Sequence, residues 1–153
     1  MSNNPDDYTE TTLEDDLKRT ELELTKAMNY VCHDLIFTSE TERDFGNKRL
    51  PTLSFQCWSD ITGVRHSYYE KEMRSKVLTH KRSGQSEHSK YRLLVNELQR
   101  RFEVLDRDIH INEKIEIIDH FSQQLFNSGY KQPQIRDIVE SGLKGVMRKE
   151  KRK

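Results

Sequence analysis

Hydrophobic residues recur at helical spacing near the start of the chain and define an amphipathic helix from Thr12. The residues on its apolar face are Leu13, Leu17, Leu24, Met28 and Val31. Thr11 or Thr12 can cap the helix, and the acidic residues 14–16 suit the positive end of the helix dipole. We therefore predict a helix here, preceded by a flexible acidic leader over residues 1–11.

Between residues 35 and 71 the pattern changes to the alternation that is typical of β-strands. The segment IFTSETERDF predicts a strand from Leu35 to about Thr41. The next strand runs through 50–58, with Leu53, Phe55 and Cys57 on one face. SDITG is a turn, and residues 64–71 return alongside, so we expect an antiparallel hairpin.

Three amphipathic helices are predicted after a polar, basic connector at 74–88. The first covers about 87–105 and carries an apolar stripe that includes Leu94 and Leu98. The second covers about 111–127, with Asn112 as its cap and Gly129 just past its end. Pro133 occupies the first turn of the last helix, where its missing N–H does no harm.

The predicted fold class is α+β: an N-terminal helix packed on a small antiparallel sheet or hairpin, followed by a three-helix bundle. In this scheme the leader 1–11 precedes an α+β lobe at 12–73. The basic connector at 74–88 leads to a helical bundle at 89–148, and a basic tail covers 149–153.

Composition predicts a thin core and an uneven charge. Leu, Ile, Val and Phe make up about 24% of the 153 residues, above the range typical of disordered chains. The net charge is zero, yet residues 1–45 carry 12 acidic and 4 basic side chains, whereas 46–153 carry 14 and 22. A polyanion would therefore bind the second part of the chain.

Few residues suggest catalysis or metal binding. Asp15 and Asp16 could suggest a paired-carboxylate metal site, but they open a helix and point about 100° apart, so we interpret them as helix-start acids. Zinc ligation by Cys32, His33, Cys57 and His66 fits none of the usual spacings. The sequence contains no phosphate loop and no nucleophile motif, and no apolar run is long enough to span a membrane. We predict no catalytic residue, no metal ligand and no cofactor.

A cluster of basic residues interleaved with tyrosines follows the predicted hairpin. Cations bind phosphates and aromatic rings stack on bases, so this combination can hold nucleic acid without selecting a sequence. The candidate nucleic-acid-binding residues are Tyr68, Tyr69, Lys71, Arg74, Lys76, Lys81, Arg82, Lys90, Arg92, Arg100 and Arg101. The alternative interpretation is a solvated basic surface with its tyrosines in the core.

The order of several short motifs resembles a known family. IFTSETERDF, KRLPTLSFQCW, HSYYEKEM and HKRSGQSEHSKYRLLVNELQRR are similar to the region downstream of the catalytic aspartates in Penelope-like and related invertebrate retroelement reverse transcriptases. FSQQLFNSGYKQPQIRDIVESGLKG resembles the end of those proteins. The resemblance covers about residues 25–148. Ser54 and Glu72 stand where the family has Asp and Pro.

The resemblance implies the edge of a polymerase palm followed by its thumb. Residues 50–71 would be the hairpin that supports the primer, and the helical bundle would hold the template–primer duplex. The catalytic aspartate turn would precede residue 12 and is absent, so we expect no polymerase activity from this chain alone. Mg²⁺ would belong to the missing catalytic part, and the location would be cytoplasmic or nuclear.

Two other functions remain open from the sequence. Residues 111–147, with an NSGYKQP corner, have the spacing of a helix-turn-helix that binds DNA. The chain could instead be an interaction module without a nucleic-acid role. The partners expected are an RNA–DNA or DNA duplex bound without sequence preference, the missing fingers–palm lobe, or another copy of the chain, and no membrane.

Overall fold

A computed structural model describes residues 5–31, 34–71 and 75–151, with side chains described from residue 15 onward. The elements are α1 (Pro5–Val31), β1 (Leu50–Thr52), β2 (Phe55–Asp60), β3 (Gly63–Tyr68), α2 (Glu87–Glu103), α3 (Ile111–Asn127) and α4 (Gln132–Glu150). The predicted α+β class and the order of N-terminal helix, sheet and helices are confirmed. The chain forms two compact units, Met1–Asp44 and Phe45–Lys153.

The described part of the first unit contains α1, a segment without strands at 34–41 and a short 3-10 helix at Glu42–Asp44. α1 begins at Pro5, so residues 5–11, predicted as a flexible leader, belong to the helix, while 1–4 lie outside the described residues. The strand predicted from Leu35 to about Thr41 is wrong, because these residues form no regular structure. The backbone of Phe37 pairs instead with a side chain: its N–H donates to Asn29 Oδ1 at 2.6 Å, and Asn29 Nδ2 donates to its carbonyl at 3.0 Å.

The second unit opens with a sheet of order β1-β2-β3, antiparallel throughout. The single strand predicted over 50–58 is two strands, because the chain turns between Thr52 and Phe55, which are paired. Leu53 lies in that turn at φ 52° and is exposed, so it does not share a buried face with Phe55. The predicted turn at SDITG is present, with Asp60 paired to Gly63 across the β2–β3 hairpin.

Three helices bury the core of the second unit. Among the described residues its buried cluster consists of Leu94, Leu98, Phe121, Leu125, Tyr130, Ile135 and Ile138. His110, rather than the predicted Asn112, caps α3, because His110 Nδ1 accepts the Asn112 N–H. Gly129 follows α3 at φ 87°, a conformation that glycine adopts without strain.

α2 and α4 pack side by side and run in the same direction. Tyr91 meets Ser141, Leu98 packs against Gly142, and Glu103 pairs with Lys149, so the contacts advance along both helices together. A Cβ at position 142 would lie 2.7 Å from Leu98 Cδ2, so only glycine permits this close approach. Both helices therefore begin at the same end of the bundle.

Ion pairs attach the sheet to the bundle. Arg65 contacts Asp108 at 2.6 Å and Asp106 at 3.3 Å, and the Asp106 carboxylate also accepts the backbone N–H of His66. Arg49 pairs with Glu113 at 3.2 Å. The sheet and the three helices thus belong to one unit, and the segment 74–88, predicted as the boundary between lobes, lies inside that unit from residue 75 onward.

Candidate nucleic-acid interface

Arg101 was predicted to contact phosphates, but it lies in the core. Its side chain is fully buried on α2, where its Nη2 donates to Gln124 Oε1 at 2.7 Å and its Nε to Glu97 Oε1 at 3.2 Å. The guanidinium lies over the rings of Tyr68 and Phe121. Arg101 is therefore inaccessible to a ligand. The ring of Tyr68 lies against its guanidinium and is not available to stack on a base.

The charges around Arg101 are balanced. Glu70 approaches Arg101 at 3.8 Å, and Arg100 binds Glu97 through two hydrogen bonds of 3.0 and 3.1 Å. Burial of Glu97 opposes its ionisation, but the hydrogen bond from Arg100 and the charges of both arginines outweigh burial and lower its pKa. Two arginines facing two glutamates give this region little net attraction for a phosphate.

Lys90 is also structural. Only 3% of the residue is exposed, and its Nζ donates to the carbonyl of Lys81 and to Glu87 Oε1, both at 2.6 Å. The ammonium thereby fixes the connector against the start of α2. Like Arg101, Lys90 is removed from the set of phosphate contacts.

Lys76 and Lys81 of the connector lie close to the corner between α3 and α4. The N–H of Leu78 donates to Ser128 Oγ and that of Lys81 to the Ser128 carbonyl, both at 2.9 Å. Asn127 Nδ2 donates to the carbonyl of Lys76, and Tyr130 Oη to that of Thr79. These bonds hold residues 76–81 against the corner.

Folding adds two cations that the sequence interpretation missed. Lys131 is the N-cap residue of α4, and Arg136 follows in its second turn; both are exposed. Lys81 Nζ donates to Gln134 Oε1 at 2.9 Å, which links the connector to this first turn. No local pattern joins residues 131–136 to 76–92, so only the parallel packing of α2 and α4 brings them together.

We call residues 75–92 and 128–137 the basic end. They contain seven lysines and arginines but two acidic residues, Glu87 and Asp137. Glu87 is paired with buried Lys90, and its hydrogen bond to that ammonium lowers its pKa. The exposed cations of the basic end are Lys76, Arg82, Arg92, Lys131 and Arg136. α2 and α4 both begin here, so two helix dipoles add to the positive potential.

The remaining predicted residues lie elsewhere or outside the description. Lys71 is exposed beyond β3, Tyr69 is half-buried with its N–H bonded to the Ser54 carbonyl, and Arg74 lies outside the described residues. Arg100 is on the later part of α2, about 12 Å along the axis from Arg92. Most of the predicted cations therefore separate into the basic end and a neutral group around Arg101, while Lys71 belongs to neither.

Two of the concave surfaces formed by the described residues of the second unit bear on the site. A cavity of about 300 Å³ lies between the first turns of α2 and α4, lined by residues that include His88, Tyr91 and Asp137. A groove of about 540 Å³ lies between β3 and α3 and includes Glu70, Glu113 and Glu116. Arg49 and His120 also line the groove, but Arg49 is paired with Glu113 and the three carboxylates outnumber the single arginine, so the groove is less suited to phosphate than the basic end.

The described ranges were searched for metal sites and for membrane-spanning helices. No cluster of three or more His, Cys, Asp or Glu side chains in them is arranged to hold a metal ion. Cys32 and His33, two of the zinc ligands considered from the sequence, lie outside these ranges. No helix in the described part of the chain is both long enough and apolar enough to cross a bilayer.

Comparisons with known proteins identify no family for this chain, so its function is argued from the structure alone. No protein-family model matches the chain, and neither a curated protein nor a solved structure is significantly similar to it.

Proposed function

We propose that the chain binds the sugar-phosphate backbone of nucleic acid through its basic end. The supporting observation is that residues 75–92 and 128–137 carry five exposed cations against one acid, Asp137, outside the Lys90–Glu87 pair. The two segments are joined by hydrogen bonds and by the parallel start of two helices. Each cation that displaces counterions from phosphates contributes affinity irrespective of sequence.

The structural role of Arg101 and Lys90 refines this proposal. Binding rests on exposed cations, principally Lys76, Arg82 and Lys131, rather than on the hairpin and the later part of α2. The tyrosines of the basic end are engaged, since Tyr91 Oη lies 2.6 Å from Ser141 Oγ and Tyr130 Oη donates to the Thr79 carbonyl. The proposed binding is therefore electrostatic, and it does not depend on the base sequence of the nucleic acid.

In this proposal the chain is the palm-edge and thumb part of a retroelement-type reverse transcriptase. It holds a template–primer duplex, and the proposal assigns it no catalytic carboxylate and no Mg²⁺ site. The other partner is the fingers–palm lobe or a second copy of the chain. Its place of action is the cytoplasm or the nucleus, where such duplexes form.

Fluorescence anisotropy with a labelled RNA–DNA duplex tests the proposal. The affinity should fall severalfold or more between about 50 and 200 mM salt. Two DNA duplexes of unrelated sequence should bind within about threefold of each other, because backbone contacts carry no sequence information. Undetectable binding at the lower salt would contradict the proposal and leave the interaction-module alternative.

The helix-turn-helix alternative makes a different prediction for the same experiment. α3, the corner 128–131 and α4 supply its two helices, and base-reading side chains would discriminate between duplexes by about 1–3 kcal/mol per base pair. A preference of tenfold or more for one DNA sequence would therefore favour this alternative over backbone binding.

A further inference from the structure

The cavity of about 300 Å³ between the first turns of α2 and α4 lies inside the basic end. Its size is at the lower end of the range typical of pockets that hold small ligands. Tyr91, Tyr130 and Ile138 form the apolar part of its wall, and its polar lining includes His88 and Asp137. We call it the α2–α4 cavity. The cations principally assigned to backbone binding do not line it, so the proposed function leaves the cavity without a role.

The charged groups of the α2–α4 cavity balance one another. Within the lining, the Glu87 carboxylate is paired with the Lys90 ammonium at 2.6 Å. The Lys81 ammonium donates to Gln134 Oε1 in the lining at 2.9 Å, so a second cation compensates the Asp137 carboxylate. Two carboxylates disfavour a phosphate, and two ammonium groups disfavour an amine. The cavity therefore suits an uncharged ligand.

The cavity also has unused hydrogen-bonding capacity. Within the described part of the chain, the Asp137 carboxylate and the His88 imidazole have no hydrogen-bond or ion-pair partner, and both residues are exposed. An ionised carboxylate only accepts hydrogen bonds, so Asp137 suits a ligand with an N–H or O–H group. The hydroxyl of half-buried Tyr91 is engaged by Ser141, and its ring supplies contact area. A planar ring with an N–H on its edge meets these requirements.

The surroundings of the cavity indicate that this ring is a nucleobase. Exposed cations flank the cavity: Arg92 follows Tyr91 on α2, and Arg136 precedes Asp137 on α4. Lys131 lies about 9 Å from Asp137 along the axis of α4. A strand whose phosphates contact these cations carries its bases beside the cavity.

We infer that the α2–α4 cavity receives one unpaired base at the end of a bound strand. Asp137 accepts an N–H from the Watson–Crick edge of the base, and the ring of Tyr91 contacts its face. A base paired within a duplex has that edge occupied, so the paired part of the ligand is bound only through its backbone. The inference rests on the proposed function, because the basic end has to hold the strand before a base can enter.

Three ligands of equal charge test the inference on the full chain. Each is the same RNA–DNA duplex with one overhanging nucleotide, which carries thymine, N3-methylthymine or no base. The overhang is at the 3′ end of the DNA strand in one set and at its 5′ end in another. By anisotropy at about 50 mM salt, thymine should bind at least about fivefold more tightly than the abasic overhang in one set or both. N3-methylthymine, whose Watson–Crick edge has no N–H, should lose at least about half of that gain.

The abasic duplex distinguishes this inference from the proposed function. Salt-dependent binding of all three ligands with equal affinity in both sets would overturn the inference and leave the proposed function intact. Undetectable binding of every ligand would contradict both. Free thymidine monophosphate should compete poorly, because it lacks the neighbouring phosphates. If it competed as well as the thymine overhang, the cavity would belong to a free nucleotide and the inference would be wrong.

Substitution of Asp137 tests the edge contact. Asp137→Ala should make the thymine and N3-methylthymine overhangs bind equally, because it removes the acceptor. Glu140→Ala is the matched control: it removes the same charge about one turn further along α4, outside the cavity, and should preserve the difference. The readout is the ratio between overhangs, since loss of a negative charge raises the affinity for every duplex. An unchanged ratio in Asp137→Ala would exclude this contact.

Two substitutions of Tyr91 test the ring contact. Tyr91→Leu and Tyr91→Phe both lose the contact with Ser141, but only leucine removes the ring. Tyr91→Leu should lower the preference for thymine over the abasic overhang about threefold or more, and Tyr91→Phe should keep it. Circular dichroism verifies that both variants retain their helix content. Equal preferences in the two variants would contradict contact between the base and Tyr91.

Discussion

The guanidinium carbon of Arg101 lies 4.9 Å from the centre of the Tyr68 ring, across the junction between α2 and the end of β3. Arg101 also binds Glu97 within its own helix and Gln124 on α3, and it approaches Glu70 just after β3. One buried cation thereby connects the sheet with two helices. Its role is to hold the second unit together.

Replacing Arg101 with methionine should destabilise the protein by about 3–5 kcal/mol, because Glu70 and Glu97 would lose their buried partner. Urea unfolding followed by circular dichroism measures the change. Arg100→Met is the matched control on the neighbouring residue: its side chain is 43% exposed, so the loss should not exceed about 1 kcal/mol. Equal stabilities of the two variants would show that Arg101 is not a structural centre.

The contact between Gly142 and Leu98 should make α4 sensitive to a single methyl group. Gly142→Ala puts its Cβ 2.7 Å from Leu98 Cδ2, and Leu98 is fully buried and cannot move aside. We expect a loss of about 1–3 kcal/mol from overpacking, partly offset by the better helix propensity of alanine.

Gly145→Ala is the matched helical control for Gly142→Ala. Its new Cβ meets the amide end of the Gln99 side chain, which can rotate away. Thermal unfolding should show this variant as stable as the wild type or more so, by up to about 1 kcal/mol. A destabilised Gly145→Ala beside an unchanged Gly142→Ala would contradict the packing of α2 on α4.

Glu113 should contribute to acid sensitivity. Burial opposes its ionisation, but hydrogen bonds from Arg49 and Ser67 outweigh burial and hold its pKa below the ordinary value. A depressed pKa in the folded state gives stability that is present above the unfolded-state pKa and lost as pH falls through the folded one. The loss therefore occurs below about pH 4.5.

Glu113→Gln tests this dependence. At pH 7 it should cost about 1–2 kcal/mol, since charge-assisted bonds from Arg49 are weakened. The free energy of unfolding, measured by urea titration from pH 7 to pH 3, should fall less steeply in the variant than in the wild type. Parallel pH profiles would exclude Glu113 as a source of acid sensitivity.

Substitutions at Lys90 and at Arg82 should have different effects: the first should lower stability, and the second should weaken nucleic-acid binding. Lys90→Met removes two hydrogen bonds of a buried ammonium and should cost about 1–3 kcal/mol, while the affinity of the folded protein for an RNA–DNA duplex stays within about twofold. Arg82→Gln removes an exposed cation, so it should leave stability within about 0.5 kcal/mol. It should weaken duplex binding severalfold at low salt. The reverse pattern would place the ligand at Lys90.

The three helices of the second unit could be predicted because the residues of their apolar stripes form the buried core. The start of α2 was predicted at 87, where it lies, and its end within two residues. The strand at 35–41 failed because alternation indicates a strand only when another strand pairs with it, and Asn29 takes the backbone of Phe37 instead. The prediction that Leu53 shares a face with Phe55 and Cys57 is wrong because a tight turn between Thr52 and Phe55 interrupts the alternation.

The site was only partly predictable, because the number of cations does not reveal which ones are buried. A signal was present: Lys90 and Arg101 share the helical face of Leu94 and Leu98, at spacings of three and four residues. Position on a buried stripe marks a structural cation. Lys131 and Arg136 could not have been joined to residues 76–92, since tertiary packing alone makes them neighbours.

The salt dependence of duplex binding tests the central claim most directly. The logarithm of the association constant of an RNA–DNA duplex is measured against the logarithm of salt concentration for three proteins. They are the wild type, K76Q/R82Q/K131Q and the charge-matched control K18Q/R19Q/K26Q on α1. The slope should become shallower by about 0.9 per lost contact, or up to about 2.7, in the basic-end variant, and remain unchanged in the control. Identical slopes for all three proteins would contradict binding at the basic end.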